Sequence, residues 1–324
     1  MKRTILTAVF LAAAVAVAPF AAAQAELYPV RPVRLIVAFQ PGGSVDVVAR
    51  LVAPRLSESL GQPVVVDNRS GASGNIGTEQ AARARPDGYT LLIHTVPFVA
   101  NVHLYRPLPY DPLADFAPVS MVSRFPFFLV VPASLPARSL AELVALVKAK
   151  PGQLSYASNG SGSIAHLGME MLKLSTGMDL LHVPYKGFAP ALPDLLSGRV
   201  TVMMADLAPI GAQLKAGSLR VLGATSRDRT GFMPEVPTIA ELGLPGYEID
   251  VWFALYAPAK TPADITARLN AEARGYLGSA EAKEAYGKVG HEPAPSTAEA
   301  VRARIIAEQK TFAKAVKDAK LNPE

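Results

Sequence analysis

The sequence predicts an α/β fold built from doubly wound units, and three features carry that expectation. Short apolar runs alternate with amphipathic helical patterns along most of the chain. Most of these runs are continuously apolar rather than alternating, as expected when both faces of a parallel sheet are covered. Glycine-rich turns stand where several runs end and helices begin, the place where open α/β folds bind ligands.

Taken in order, residues 33–39 read as a first strand that runs straight into Pro41-Gly42-Gly43. Val45, Val48, Val52, Leu56 and Leu60 then recur at helical spacing, and Gly61 supplies the stop. Strands are expected at 64–67, 90–94, 154–158, 180–185, 200–205 and 221–225. Ser139-Leu140-Ala141-Glu142 is a capping box opening a helix that ends at Pro151-Gly152. Ser296-Thr297-Ala298-Glu299 is a second, opening a long helix with Val301, Ile305, Phe312 and Val316 on one face. Two stretches read as crossings between lobes: 124–132, with Phe125, Phe127 and Phe128 and a closing Pro132, and 247–258, with the single tryptophan, Trp252. If the chain crosses at both, residues 26–125 and 251–324 form one lobe and 126–250 the other. The alternative is two ordinary buried strands of one sheet.

Residues 1–25 read as an address. Lys2 and Arg3 precede an apolar run over 5–20, and Ala23-Gln24-Ala25 fits a cleavage site, so a signal peptide removed near Glu26 is expected. The run is short for a span, which needs ~20 apolar residues. Without Lys2 and Arg3, 30 basic side chains face 27 acidic ones, a net +3 too mild and scattered for nucleic acid. There is no cysteine, so thiolate zinc and a cysteine nucleophile are excluded, and an exported chain must rest on its own core. The five histidines show no metalloprotease spacing, and no metal is expected.

The Pro-Gly-Gly turn has a physical reading of its own. Glycine lets backbone approach a ligand, and the helix that follows points free N–H groups and a positive dipole end at it, which suits an anion. Gly71-Ala72-Ser73-Gly74-Asn75 and Asn159-Gly160-Ser161-Gly162-Ser163 are similar turns. The chain thus reads as a cleft holding a small anion by backbone amides.

Longer motifs surround these turns. They are Pro41-Gly42-Gly43-Ser44-Val45-Asp46-Val47-Val48-Ala49-Arg50 and Val66-Asp67-Asn68-Arg69-Ser70-Gly71-Ala72-Ser73-Gly74-Asn75-Ile76-Gly77, with Pro86-Asp87-Gly88-Tyr89-Thr90, Leu108-Pro109-Tyr110-Asp111-Pro112, Val183-Pro184-Tyr185-Lys186-Gly187 and Pro237-Thr238-Ile239-Ala240-Glu241. On them the chain resembles, over nearly all of residues 26–320, the periplasmic solute-binding receptors of tripartite tricarboxylate transporters, the Bug family. The resemblance implies a type II periplasmic-binding-protein-like fold, two lobes with a ligand cleft between them. It also implies a periplasmic monomer that captures a di-, tri- or aromatic carboxylate without a cofactor and delivers it to inner-membrane transporter subunits. Carried over by position, the ligand-binding residues are Gly42, Gly43, Ser44 and Asp46, then Gly74, Asn75, Thr95 and Phe98. From the other lobe come Ser161, Gly162, Ser163, Tyr185, Lys186 and Asp206.

Some of these residues have a second reading. Asp46 is also a first-turn acid that favours its own helix. Phe98, Met203 and Met204 suit either an apolar pocket or the core, Lys186 either a second carboxylate or solvent. His166 reads as bracing a helix start rather than as a ligand. Arg50 and Arg69 are expected to face solvent or a neighbouring loop, leaving the carboxylate to amides and hydroxyls. Val96-Pro97-Phe98-Val99-Ala100 and Val202-Met203-Met204-Ala205-Asp206 depart from the family pattern, the first lacking a small polar residue and the second an aromatic before the acid. Two other classes compete. Gly160-Ser161-Gly162-Ser163-Ile164-Ala165 matches a dinucleotide turn, but the next strand ends in Val-Pro-Tyr where an acid is needed, and no G-x-S-x-G elbow supports a hydrolase. A receptor signalling to a sensor kinase would look the same as a transport receptor.

Overall fold

A computed structural model describes residues 28–161 and 163–318; the expected signal peptide at 1–25 and Gly162 lie outside them. The elements in chain order are β1 (Val33–Val37), α1 (Ser44–Leu60), β2 (Val64–Asn68), α2 (Asn75–Ala82), β3 (Thr90–Thr95), α3 (Pro97–Leu104) and β4 (Phe116–Pro126). Then come β5 (Phe128–Pro132), α4 (Leu140–Lys148), β6 (Leu154–Ser158), α5 (Ile164–Thr176), β7 (Leu180–Pro184), α6 (Phe188–Leu196), β8 (Val202–Ala205), α7 (Leu207–Lys215) and β9 (Leu219–Ala224). The chain closes with β10 (Asp250–Pro258), α8 (Ala263–Leu277), α9 (Ala280–Gly287) and α10 (Ala298–Asp318).

The strands form two five-stranded sheets, in the orders β2-β1-β3-β10-β4 and β7-β6-β8-β5-β9. In each, three parallel strands are followed by one antiparallel strand that has come directly from the other sheet's territory: β5 follows β4 across Phe127, and β10 follows β9. Period-two packing in β5 and β8 shows how both faces are covered. Leu129, Val131, Val202 and Met204 join a buried cluster that extends into the first sheet, whereas Phe128, Val130, Met203 and Ala205 join a second cluster with Ala191, Leu195 and Ile210.

Helix starts follow local chemistry. The predicted stripe of α1 is buried, and Gly61 ends the helix at φ 72°. Ser139 caps α4 by accepting the Glu142 N–H, while Glu142 accepts the Arg138 N–H, one residue before the cap, and α4 ends at Lys148, short of Pro151. The second box is displaced. Thr297 accepts the Ala300 N–H, because the Ser296 hydroxyl is taken by the Met121 N–H of β4. Residues 124–132 are split between β4 and β5, and 247–258 holds β10. Trp252 is fully buried and donates to Glu308 of α10 at 2.8 Å. Among the described residues no helix is long and apolar enough to cross a membrane.

Candidate functional site

In both sheets the strand order reverses beside the first parallel strand, between β1 and β3 and between β6 and β8. The crevice at the C-terminal ends of such strands is the binding position of an open α/β sheet. The two crevices meet where the Ser44 hydroxyl of α1 donates to Asp206 Oδ2, just past β8, at 3.2 Å.

The first turn is braced from within. Gly42 holds φ +80°, which only glycine adopts easily, and its N–H donates to Asp46 Oδ2 at 2.9 Å. The Gly43 N–H closes a turn onto Gln40 O at 3.3 Å. Both glycine amides are therefore used within the turn. The donors left for an anion are the N–H groups of Ser44, Val45 and Asp46, which as a first helical turn have no partner in their own helix. Asp46 is buried, and its oxygens also accept from Arg50 Nε and Asn68 Nδ2, each at 2.9 Å. Burial pushes its pKa up, but the hydrogen bonds from Arg50, Gly42 and Asn68 outweigh that and hold it below the usual carboxylate value. Asp46 thus shapes the turn, and the structure gives it no free oxygen for a ligand.

The second turn is packed rather than charged. Gly74 has φ +91°, and a Cβ there would sit on the His94 ring and against Phe39. Asn75 is buried, with Oδ1 accepting from Asn101 Nδ2 at 2.7 Å and from the Tyr110 hydroxyl at 3.3 Å, so the Leu-Pro-Tyr-Asp-Pro loop supports this turn from behind. Thr95 is buried with Oγ1 unpartnered. Phe98, read as either pocket or core, is completely buried and packs with the core, its ring 4.4 Å from the Tyr256 ring and 5.1 Å from that of Phe116. Pro97 opens the helix that carries it.

On the second rim Ser163 caps α5, accepting the His166 N–H at 3.3 Å, and Ser161 is exposed. His166 is buried and stacks on His182 at 3.9 Å; His182 in turn meets Ser158 Oγ at 2.7 Å. Burial, then the neighbouring His166, lowers the His182 pKa to about 4. The Tyr185 hydroxyl is engaged with Asp194 at 2.7 Å, and Lys186 is exposed. Met203 and Met204 are core. Asp206 is 7% exposed, and burial raises its pKa to about 6 although Ser44 and its own N–H pull the other way. Among the described residues its Oδ1 has no partner, nor has the buried Oδ1 of Asn159. Asn159 directly follows β6, which pairs in parallel with β8 through Tyr156–Val202 and Ala157–Met203, and Asp206 directly follows β8. Asn159 stood in the predicted turn but was not singled out; an amide ending a strand at a switch point is the signal that would have found it.

A cleft of about 770 Å³ opens beside the Ser44–Asp206 contact, between the start of α1, α7, Phe232, Met233 and residues 287–291. Of the predicted residues it reaches Gly42 and Ser44. Arg50 and Arg69 are paired with Asp46 and Asp67 at 2.9 and 3.0 Å. Among the described residues no three acidic or histidine side chains gather as metal ligands. The arrangement can hold an anion by helix-start amides on one side and by a buried carboxyl and amide on the other.

Comparison with known proteins gives the family. The model of the tripartite tricarboxylate transporter family receptor matches residues 48–320. BugT of Bordetella pertussis is 41% identical over 312 residues, 96% of this chain and 95% of that protein. Among solved structures, Rpa4515 of R. palustris with adipate superposes with a TM-score of 0.82 at 40% identity, covering 92% of this chain and all of that one. MatC of Rhodopseudomonas palustris with bound malate gives 0.76 at 30% identity, over 89% of this chain and all of that one.

Proposed function

The chain belongs to the tripartite tricarboxylate transporter receptor family, a class of periplasmic solute-binding proteins and not of enzymes, and from that premise we propose that it captures a small dicarboxylate between its lobes and hands it to the membrane subunits of such a transporter. The observation that carries this reading is the Ser44–Asp206 contact, which joins the switch-point crevices of the two sheets into one site. The relatives solved with adipate and malate support a dicarboxylate. On this reading residues 1–25 are removed on export, residues 26–125 with 251–324 form one lobe, and 126–250 form the other.

One ligand carboxylate lies at the N–H groups of residues 44–46 with the turn at 74–75 beside it. Its other end meets the 159–163 turn and Asp206. Charge-assisted hydrogen bonds contribute about 1.5–3 kcal/mol each, so four can offset ordering and desolvation and leave ~8 kcal/mol, the micromolar range. A thermal-shift panel of mono-, di-, tri- and aromatic carboxylates tests the reading, since a ligand at 100 times its dissociation constant adds about 2.7 kcal/mol. Dicarboxylates should raise the melting temperature while their dimethyl esters do not. No shift with any carboxylate, or turnover of the esters, would remove the proposal.

A further inference from the structure

We infer that a proton is a co-ligand of this site: Asp206 holds the distal carboxylate of the ligand through a hydrogen shared between its Oδ1 and a ligand oxygen, so a dicarboxylate enters together with one proton. The inference rests on the carboxylate-binding reading and deepens it.

The two buried acids at the rims differ in a way that leads here. Asp46 receives donors from Gly42, Arg50 and Asn68. Asp206, at 7% exposure, receives one side-chain donor, Ser44, on Oδ2, and its Oδ1 is bare. Asn159, just past the end of the adjacent strand β6, holds a second acceptor oxygen without a partner among the described residues. A buried acceptor without a donor is costly, and a plain dicarboxylate brings only more acceptors. Two carboxylate oxygens can meet only if one carries hydrogen, as in paired acids sharing a proton. The step is simple in its balance: a solvent proton binds Asp206 Oδ1, no other bond is made or broken, and the O–H donates to the ligand.

The surroundings permit this. From α1 the adjoining acid is Asp46, turned to Asn68 and Arg50. Behind the β6 end stand His182 and, on α5, His166, stacked on each other and reached through Ser158. Along the 770 Å³ cleft are Lys215 at the far end of α7, and Lys288 and His291 of the 287–291 segment. From β5, the neighbouring strand, come only apolar side chains. Burial raises the Asp206 pKa to about 6, with the hydrogen bonds from Ser44 and the backbone opposing. The free receptor is therefore ionised at neutral pH, and a ligand anion brought alongside raises the affinity further, so the proton is taken up on binding.

The test uses adipate, glutarate and succinate, which carry no hydrogen-bond donor of their own, against the full mature chain. Thermal shift first selects the one that binds best. Calorimetry at pH 7 in two buffers of different ionisation enthalpy then counts protons, and affinity is measured between pH 7 and 8. Uptake near one proton per ligand, with affinity falling about tenfold over that unit, is expected. Asp206→Asn should bring the uptake to near zero and flatten the pH dependence. Heats that do not depend on the buffer overturn the inference while leaving carboxylate binding intact, and that arm needs no variant. Undiminished uptake in Asp206→Asn also overturns it, by placing the proton on another group such as His182. Binding of malate but of none of the three would mean that Asp206 requires a ligand's own hydroxyl, which likewise rejects it. No shift with any carboxylate would reject the binding reading itself.

Discussion

Set side by side, the sheets β2-β1-β3-β10-β4 and β7-β6-β8-β5-β9 have the same order, the same parallel triplet and the same antiparallel strand beside it. Their buried acids are finished in opposite ways. After β1 the acid and amide side chains of the turns are matched within the protein, Asp46 to Gly42, Arg50 and Asn68, and Asn75 to Asn101 and Tyr110, while at the end of β3 His94 Nε2 and Thr95 Oγ1 have no partner among the described residues. After β6 and β8, Asn159 and Asp206 each keep a buried oxygen bare. One topology thus yields a preformed cradle and an unsatisfied partner. Unmatched polar groups cost stability in the free protein and gain their partners when a ligand arrives, so the second rim is where binding energy depends most on ligand chemistry.

The largest expected break in that comparison is at Gly74. Alanine there would force a side chain onto His94 at φ +91°, and strain plus overpacking should cost about 3 kcal/mol or more. Its counterpart on the second rim, the exposed Ser161, should tolerate alanine within about 0.5 kcal/mol. Urea unfolding of both variants checks this. Equal losses would mean that the first rim is no more preformed than the second.

The two acids should answer in opposite directions. Asp206 binds its proton more tightly when folded, near pH 6 against a reference of 3.8, so the folded state loses stability as pH rises between those values and bears the whole cost above them. Asp206→Asn should then gain up to about 3 kcal/mol at pH 7 and nothing at pH 4. The ceiling follows from folded and unfolded affinities about two pH units apart, each unit contributing about 1.36 kcal/mol. Asp46→Asn removes a carboxylate that three donors share, and should lose about 2 kcal/mol. Stabilisation in both, or in neither, would erase the distinction drawn between the rims.

A smaller effect should appear in the pH profile of unfolding. Burial lowers the His94 pKa from 6.5 to about 4, so its contribution is complete above pH 6.5 and is lost as pH falls towards 4. His291, also buried and lowered to about 4, acts in the same sense. Asp206 acts in the opposite sense over an overlapping range, and so does Asp250, which burial raises to about 6. His182, lowered to about 4, adds to the histidines, so wild-type stability should fall between pH 6.5 and 4, and that of Asp206→Asn should fall more steeply because one opposing group is gone. Parallel profiles would deny Asp206 its unusual proton affinity.

Much of this fold was legible because it is written locally. The α1 stripe, the continuous strands and the Ser139–Glu142 box need only periodicity and capping, and they stand where expected. The Ser296 box slipped by one residue because a strand 175 positions away took its hydroxyl. The site was legible in its turns and not in its atoms. Nothing near Gly42 and Gly43 says that their own N–H groups close the turn, and nothing near Phe98 decides between pocket and core. The pairing of Ser44 with Asp206 spans 162 positions and exists only once two sheets meet.

The smallest expected effect sharpens the claim about charge. If dipoles and shared hydrogens hold the ligand, the arginines flanking the first rim should be dispensable. Arg69 is half exposed and paired with Asp67, which Arg34 also holds, so its removal leaves that carboxylate a partner. An exposed pair of this kind contributes about 0–1 kcal/mol to stability. Arg69→Ala should thus shift both unfolding and dicarboxylate affinity by less than about 1 kcal/mol. Salt gives a second reading, because screening acts mainly between exposed charges, with a Debye length of about 10 Å at 0.1 M. Raising sodium chloride tenfold should weaken binding only slightly in wild type and no less in Arg69→Ala. A large loss on either change would mean that a full cation reaches the ligand, and the bare oxygens of the second rim would then no longer distinguish the two halves of the site.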